Sequence, residues 1–184
     1  PLYNLWIGRL SYASAQVTAL SDLTVQNDFL VYETDIGSPH EFVLGSHILT
    51  VGGNFTNNDI FTAGTGTVTL NGSGAQSIVT NGDPFHDLII NKSGGIASLT
   101  EDTTVTGDLT VQKGTLAVST FNLAVTGDSD VTGSGGTATV TIGASADTGW
   151  TTTDLTIGTD GVVTCTGIGN SKINVAGTWD SSAG

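Results

Sequence analysis

The stretch "GDLTVQKGTLAVSTFNLAVTGD", Gly107 to Asp128, decides the fold because it states one short pattern three times. The pieces "DLTV", "TLAV" and "NLAV" each place valine two residues after leucine, with a small or polar residue between them. That period of two is typical of a β-strand with one buried face. Glycine and Asn-Gly pairs interrupt the chain every few residues, as turns between short strands do. We therefore expect many short strands, with no sustained helix from about Ser21 onward.

A longer repeat also runs along the chain. The form Asp-Leu-x-(Val/Ile) begins at four aspartates that follow one another at intervals of 65, 21 and 46 residues, near multiples of 22: Asp22, Asp87, Asp108 and Asp154. Degenerate copies fill the gaps: "ILTVGG" from Ile48, "TVTLNG" from Thr67, "NLAVTG" from Asn122, "TVTIGA" from Thr139 and "INVAG" from Ile173. A sandwich or a propeller also uses short strands, but recurrence in one orientation favours a parallel β-solenoid. Its turns place like residues above one another, about 4.8 Å apart.

The sequence therefore predicts an all-β fold, a right-handed parallel β-helix of roughly eight irregular rungs over residues 21–184. Residues 1–20 lack the Thr/Gly pattern and carry the only arginine, so we interpret them as an N-terminal cap, a first irregular rung or a segment that docks on another subunit. The ending "INVAGTWDSSAG" resembles an interrupted copy of "LTVGGNFTNNDIFTAG". We expect the solenoid to be truncated at its C-terminus and to belong to a longer repetitive protein.

Composition excludes several classes of partner. The chain has 17 acidic and 4 basic residues, a formal net charge of -13, which repels nucleic acid and anionic membrane surfaces. Its apolar runs fall short of the roughly 18 residues that a membrane helix requires, so we expect no membrane insertion. The single cysteine, Cys165, lies in the strand-like "VVTCTG" and is expected in the core.

The run "FTAGTGTVTLNGSGAQSIVTNGDPFHDLIINKSGG", followed by "VTGDLTVQKGTLAVSTFNLAVTGD", resembles the repetitive β-helical regions of large secreted bacterial and archaeal surface proteins. The resemblance covers about Ile48 to Asp128 well and the remainder loosely, and it lies in the pattern rather than in a catalytic signature. It implies an extracellular or cell-surface location and use as a stalk, an adhesin shaft or a filament building block.

Catalytic signatures are weak, and we expect no enzyme activity. Asp128 and Asp130 have a spacing that an inverting glycosidase permits, but they lie in the turn-like "TGDSDVTGSGG". The chain lacks a Gly-x-Ser-x-Gly elbow and a phosphate-binding loop ending in Lys-Ser/Thr. The only arginine lies outside the repeat, where it cannot serve as the base of a lyase-like β-helix.

Metal binding is the one cofactor hypothesis. Asp87 and Asp108 are one rung apart, so their stacked carboxylates repel unless they are solvated, hydrogen bonded to turn amides or bridged by a cation. We favour hydrogen bonding to turn amides, and keep four weak Ca²⁺ candidates: Asp87, Asp108, Asp128 and Asp130. His40 and His47 with Glu41 match no standard zinc spacing, and we interpret these histidines as loop or rung-surface residues.

Three other surface features have alternative interpretations. Glycosylation sequons occur at Asn54, Asn71 and Asn91. Sugar stacking is a possible use of Trp150, Trp179 and Phe85, although aromatic residues in a solenoid more often fill the core. Thr139 and Thr141 form a Thr-x-Thr strand of the kind that binds ice, but uneven turns would break the regular array that ice binding needs.

The leading functional hypothesis is an extracellular, non-enzymatic structural β-solenoid, either a stalk or adhesin shaft or a head-to-tail filament subunit. Its expected partners are further copies of itself or further repeats of the same chain, and after these, surface glycans. The residues expected to mediate self-association lie near the two ends: Leu5, Trp6, Ile7, Ile173, Val175 and Trp179. The alternatives are a glycan-binding or glycan-processing β-helix and, after it, an ice-binding solenoid.

Overall fold

The computed structural model describes residues 1–8, 14–32, 39–143, 148–166 and 171–181. Within these ranges the regular structure is β-strand, and no helix long and apolar enough to cross a membrane occurs. The strand pairs of the described residues are all parallel. The predicted all-β fold with stacked parallel strands is confirmed.

The strands are short because turn residues interrupt each alternating run after a few positions. In chain order they are β1 Leu5–Ile7, β2 Ala15–Thr18, β3 Leu23–Val25, β4 Phe29–Val31, β5 His40–Val43, β6 Ile48–Val51, β7 Phe55–Asn57, β8 Ile60–Thr62, β9 Thr67–Leu70, β10 Gln76–Val79, β11 Asp87–Leu99, β12 Thr103–Val105, β13 Leu109–Ser119, β14 Leu123–Val125, β15 Ser129–Val131, β16 Ala138–Ile142, β17 Gly149–Thr152, β18 Leu155–Ile157, β19 Gly161–Cys165, β20 Lys172–Val175 and β21 Trp179–Asp180.

These strands stack in three columns, which the chain visits in the order A, B, C. Column A consists of β3, β6, β9, the first parts of β11 and β13, β15, β18 and β21. Column B consists of β1, β4, β7, β10, the second parts of β11 and β13, β16 and β19. Column C consists of β2, β5 and β8, followed by β12, β14, β17 and β20. Because β11 and β13 continue around the corner between A and B, those two columns form one sheet.

The strand register fixes the length of each turn. The inward position of column A runs through eight residues in register: Leu23, Leu49, Val68, Leu88, Leu109, Ser129, Leu155 and Trp179. One turn takes 26 residues from Leu23 to Leu49 and only 19 from Leu49 to Val68. The solenoid has about seven turns, close to the predicted eight. Its right-handed sense stays a prediction.

The register also separates two kinds of repetition. All four Asp-Leu-x-(Val/Ile) copies lie on column A, so the long repeat is the turn, as predicted. The three Leu-x-Val pairs of Gly107 to Asp128 instead lie on three different columns of a single turn. All six of their apolar side chains are buried: Leu109, Val111, Leu116, Val118, Leu123 and Val125.

Three of the degenerate copies were therefore assigned wrongly. Asn122 and Ile173 lie on column C and Thr139 lies on column B, whereas column A continues through Ser129 and Val131. A Leu-x-Val or Val-x-Ile pair looks the same on every column, because each column needs two inward apolar residues. Corners of unequal length then make counting along the chain unreliable.

The core of the first turns is aromatic. The rings of Phe29 and Phe55 stack with their centroids 5.0 Å apart, and Phe42, Phe61 and Phe85 surround them at 5.0 to 6.2 Å. Such pairs contribute about 0.5–1.5 kcal/mol each beyond the area that they bury. Toward the C-terminus the core changes to leucine, valine and isoleucine, with Trp150 as its only fully buried ring among the described residues.

Lys92 is fully buried in β11, at the corner between columns A and B. Its ammonium donates hydrogen bonds to the carbonyl oxygens of Gly72 and Gly74, at 3.1 and 2.9 Å, and to Gln76 Oε1. Gln76 Nε2 in turn donates to the carbonyl oxygen of Val51 at 3.1 Å. The three acceptors satisfy the ammonium, but they carry no charge, and desolvation lowers the pKa of Lys92.

Candidate functional site

The two end rungs of the solenoid are its most distinctive surfaces. At the N-terminal edge, Leu2 forms a single parallel bridge with Val25: Leu2 N donates to Thr24 O and Gln26 N donates to Leu2 O, both at 2.7 Å. In the described part of the chain, no strand lies beneath Leu23 and Thr24 on that side of β3. The N-terminal edge of column A is thus two residues short of a full rung.

An apolar cavity of about 340 Å³ opens at this edge. Its lining includes Leu2, Leu5, Val17, Leu20, Leu23 and Phe42. Leu20 is 88% exposed, although a leucine at such a position would stabilise the fold if it were covered. The cavity exists because β1 and β2 provide the floor of the solenoid, and no described strand lies below them.

The C-terminal edge is open as well. Leu155 is the last buried residue in the described part of the chain. Beyond it, Val163, Ile173 and Val175 pack against the core on one side but are only partly buried, and Trp179 is 53% exposed. The prediction that Cys165 is a core residue was wrong, since it is exposed on β19, the last strand of column B.

Most of the predicted self-association residues lie on these two edges. Leu5 and Ile7 occupy inward positions of column B at the first rung, and Ile173 and Val175 occupy inward positions of column C at the last. Trp179 is inward on column A, in register with Leu155. These five are held at opposite ends of one solenoid, so a single copy cannot bring the two groups together.

Trp6 differs from the other candidates because it points outward. It alternates with Leu5 and Ile7, and its register partners in the next turns are Leu30 and Thr56, which are also outside the core. Trp6 therefore lies on the side of the solenoid.

The aspartates that begin the repeats form hydrogen-bonded clamps between turns. Asp87 Oδ1 accepts the backbone N–H of Asp108 at 3.0 Å, and Asp108 Oδ1 accepts that of Asp128 at 2.9 Å. In the other direction, Leu88 N donates to Asp108 O at 3.0 Å. We expected the donors to be amides of a local β-turn. They are backbone amides of the next turn of the solenoid. Asp130 is separate from these clamps, since it lies within β15 in register with Thr110 and Thr156.

Columns B and C contain the same kind of hydrogen-bonded clamp, formed by residues that the sequence pattern did not identify. Asn4 Oδ1 accepts from Asp28 N, Asp28 Oδ1 from Asn54 N, and Asn54 Oδ1 from Ser77 N. On column C, Asp102 Oδ1 accepts from Asn122 N. The available signal is an Asp or Asn immediately before the first inward residue of a strand, as in "NLW", "DFL", "NFT" and "NLAV".

The described residues do not form a cluster of side chains that could bind a metal ion. Among the residues that the structure describes, no three His, Cys, Asp or Glu side chains converge. His47 and His40 face different carboxylates: His47 Nδ1 is 3.8 Å from Asp22 Oδ1, and His40 Nδ1 is 3.6 Å from Asp59 Oδ2. His40 is fully buried, so its assignment to a loop or surface was wrong. Calcium binding at Asp87, Asp108, Asp128 and Asp130 stays a prediction.

The Glu41 carboxylate is hydrogen bonded to side chains of the two neighbouring turns. It accepts hydrogen bonds from Gln16 Nε2 at 2.6 Å and from Thr62 Oγ1 at 2.7 Å. These two bonds, that of Gln16 first, lower the pKa of Glu41.

The structure gives little support for sugar stacking on Trp150 and Phe85 or for ice binding through Thr139 and Thr141. Trp150 and Phe85 are both completely buried, so neither presents a ring to a sugar. Thr139 and Thr141 are in register with Thr115 and Ala117 below and with Val162 and Thr164 above. The Thr-x-Thr pair is therefore not repeated on the adjacent rungs of this column.

The three sequons differ in accessibility. Asn71 and Asn91 are exposed, whereas Asn54 is partly buried and uses its Oδ1 to accept from Ser77 N at 2.9 Å and from Ser77 Oγ at 3.0 Å. Glycosylation at all three stays a prediction, and Asn54 is the least suited because its side chain already holds two turns together.

Comparisons of the chain with protein families, with curated proteins and with solved structures found no match. The structure shows the β-solenoid fold and the repeat pattern, and no matching family or relative supports the resemblance to secreted surface proteins. The case for a function rests on the geometry of the two edges.

Proposed function

We propose that this protein is an extracellular, non-enzymatic structural β-solenoid that assembles head to tail into rods. The observation that carries the proposal is the pair of open ends, an apolar cavity at one edge and partly buried apolar strands at the other. Parallel strand edges accept a further parallel strand through the same ladder that joins the turns inside one copy. Contact between two different ends does not close on itself, so it produces a linear assembly.

The negative charge of the chain favours assembly along the solenoid axis over side-by-side association of copies. The chain carries a formal net charge of -13, and the Asp clamps place carboxylates along its side. Like-charged sides repel one another, whereas the apolar ends gain from contact. The net charge of -13 also opposes the end-to-end approach of two copies. Salt screens that repulsion, so raising ionic strength from about 0.01 to 0.15 M, which shortens the screening length from roughly 30 to 8 Å, should favour assembly.

Negative-stain electron microscopy of the full 184-residue chain, with sedimentation velocity over a concentration series, tests the proposal. Rods with an axial repeat of about 38 Å are expected, because one copy stacks eight strands in column A and neighbouring strands are about 4.8 Å apart. Particles that remain single short rods at every concentration would contradict self-assembly. They would favour a shaft whose further rungs come from the same polypeptide.

A further inference from the structure

The inward position of column A links the two ends in one register. Leu23 lies at the N-terminal end of this series and Trp179 at the C-terminal end, with six further residues stacked between them. A second copy that continued the series would place its Leu23 directly over Trp179. The exposed indole and the apolar cavity would then meet, because that cavity is lined by Leu23.

We infer that Trp179 of one copy inserts into the N-terminal cavity of the next copy, beneath Leu23. The inference rests on the proposed head-to-tail assembly and names the contact that specifies it. A large aromatic side chain that enters an apolar pocket is the residue type that most often dominates an interface. Leu20, exposed at the rim of the cavity, would be covered by the same contact.

The backbone positions at the two edges are complementary. Trp179 and Asp180 of one copy would lie beneath Leu23 and Thr24 of the next copy. The position beneath Val25 of that next copy is already filled by its own Leu2. Together the three residues complete one rung across the junction. Pro1 and Ser181, both exposed, lie where the two chains leave it.

The hydrogen-bond pattern continues across the junction. Within one copy, Leu155 N donates to Thr178 O of the next turn at 2.9 Å. Trp179 N occupies the place of Leu155 N one turn further along, so in the assembly it donates to Asp22 O of the next copy. The junction therefore uses the same ladder as the interior of the solenoid.

Paired substitutions test this contact by sedimentation velocity. Trp179→Ala removes the inserted side chain, and Leu20→Asp places a carboxylate at the rim of the cavity. Each is expected to raise the concentration for half-assembly at least about 30-fold, the effect of losing a typical interface hot spot. The matched controls are Ile60→Ala and Ile96→Asp, at exposed apolar residues in β8 and β11, away from both end rungs. Both should assemble like the wild type, and thermal unfolding should show that all four variants are folded.

Mixing the two defective variants gives the decisive readout. Trp179→Ala keeps its cavity and Leu20→Asp keeps its tryptophan, so an equimolar mixture should form 1:1 dimers that grow no further. Failure of the mixture to dimerise, or assembly of Trp179→Ala at the wild-type concentration while the wild type forms rods, would overturn the inference and leave the proposed function standing. A wild-type chain that never assembles would overturn both.

Discussion

Trp150 and Trp179 both occupy inward positions of the solenoid, on different columns. Trp150 is 0% exposed, whereas Trp179 is 53% exposed. Trp150 on column C is paired with Leu123 on one side and Ile173 on the other, whereas among the described strands Trp179 on column A is paired with Leu155 alone. The difference lies in the number of neighbouring turns. An inward side chain in this fold is buried by the turns above and below it, so the last turn is complete only when something stacks on it.

The first turns show the opposite extreme. Phe55 lies within 5.1 Å, centroid to centroid, of Phe29, Phe61 and Phe85, and all four rings are buried. This region is stabilised within one copy. The aromatic core of the first turns is thus buried within one copy, whereas the aliphatic last turn is only partly buried. The following variants test that contrast.

Phe55→Ala should have the largest effect. It removes the ring at the centre of the stack and is expected to lower the free energy of unfolding by about 3–5 kcal/mol. Urea denaturation followed by circular dichroism measures the change. An effect below about 1 kcal/mol would mean that the aromatic cluster does not stabilise the first turns.

Lys92→Met should destabilise the corner by roughly 3 kcal/mol, because two carbonyl oxygens and the amide oxygen of Gln76 lose their buried donor. Lys113→Met, at a half-buried lysine one turn away, is the control and should change little.

The same lysine predicts a pH dependence. Burial lowers the pKa of Lys92 in the folded state, so the unfolded chain binds more protons between that lowered value and the ordinary 10.5. Stability due to Lys92 therefore rises with pH across this interval, and is lowest where the buried ammonium is fully protonated. The wild type should gain stability relative to Lys92→Met as pH rises toward 10.5; a constant difference would contradict the buried charge.

A matched pair of valines tests the contrast directly. Val140 and Val163 are neighbours in register on column B, but only Val140 is fully buried. Val140→Ala should cost about 2 kcal/mol of unfolding free energy in the monomer and Val163→Ala less than about 1 kcal/mol. Equal costs would show that the last turn is already as well packed as the interior.

Asp108→Ala should cost less than Val140→Ala, a loss of about 1 kcal/mol from the clamp on Asp128 N. Asp108→Asn is the control, because it keeps the accepting oxygen and removes one charge from the Asp87, Asp108, Asp128 series. This variant should be at least as stable as the wild type, most clearly at low salt. An Asn variant as unstable as the Ala variant would mean that the clamp depends on charge.

How much of the molecule the sequence predicts depends on whether a feature is local. The alternation of Leu109 and Val111 identifies inward pairs, and the Asp-Leu spacing identifies the turn, because both depend on neighbours in the chain. The column that holds Thr139 depends on corner lengths. Lys92 looks like a surface turn residue in "NKSGG", and only the course of β11 around the corner carries it inside.

The candidate site shows the same division. The apolar residues near both ends are visible in the sequence, and five of the six that were chosen are inward on the end rungs. The outward direction of Trp6 and the common register of Leu23 and Trp179 required the strand pairing. Cys165 was misassigned because its strand context is that of a core residue, whereas its side chain is exposed because no described strand stacks on β19.

Hydrogen exchange of the end strands, measured by mass spectrometry at low and high protein concentration, tests whether one copy stacks on the next. Head-to-tail stacking predicts that the backbone amides of Trp179 in β21 and Thr24 in β3, which face the two open edges, exchange quickly in the monomer and slow together as concentration rises, while β11 stays protected throughout. End amides that exchange equally fast in the monomer and in the concentrated protein would contradict stacking of one copy on the next.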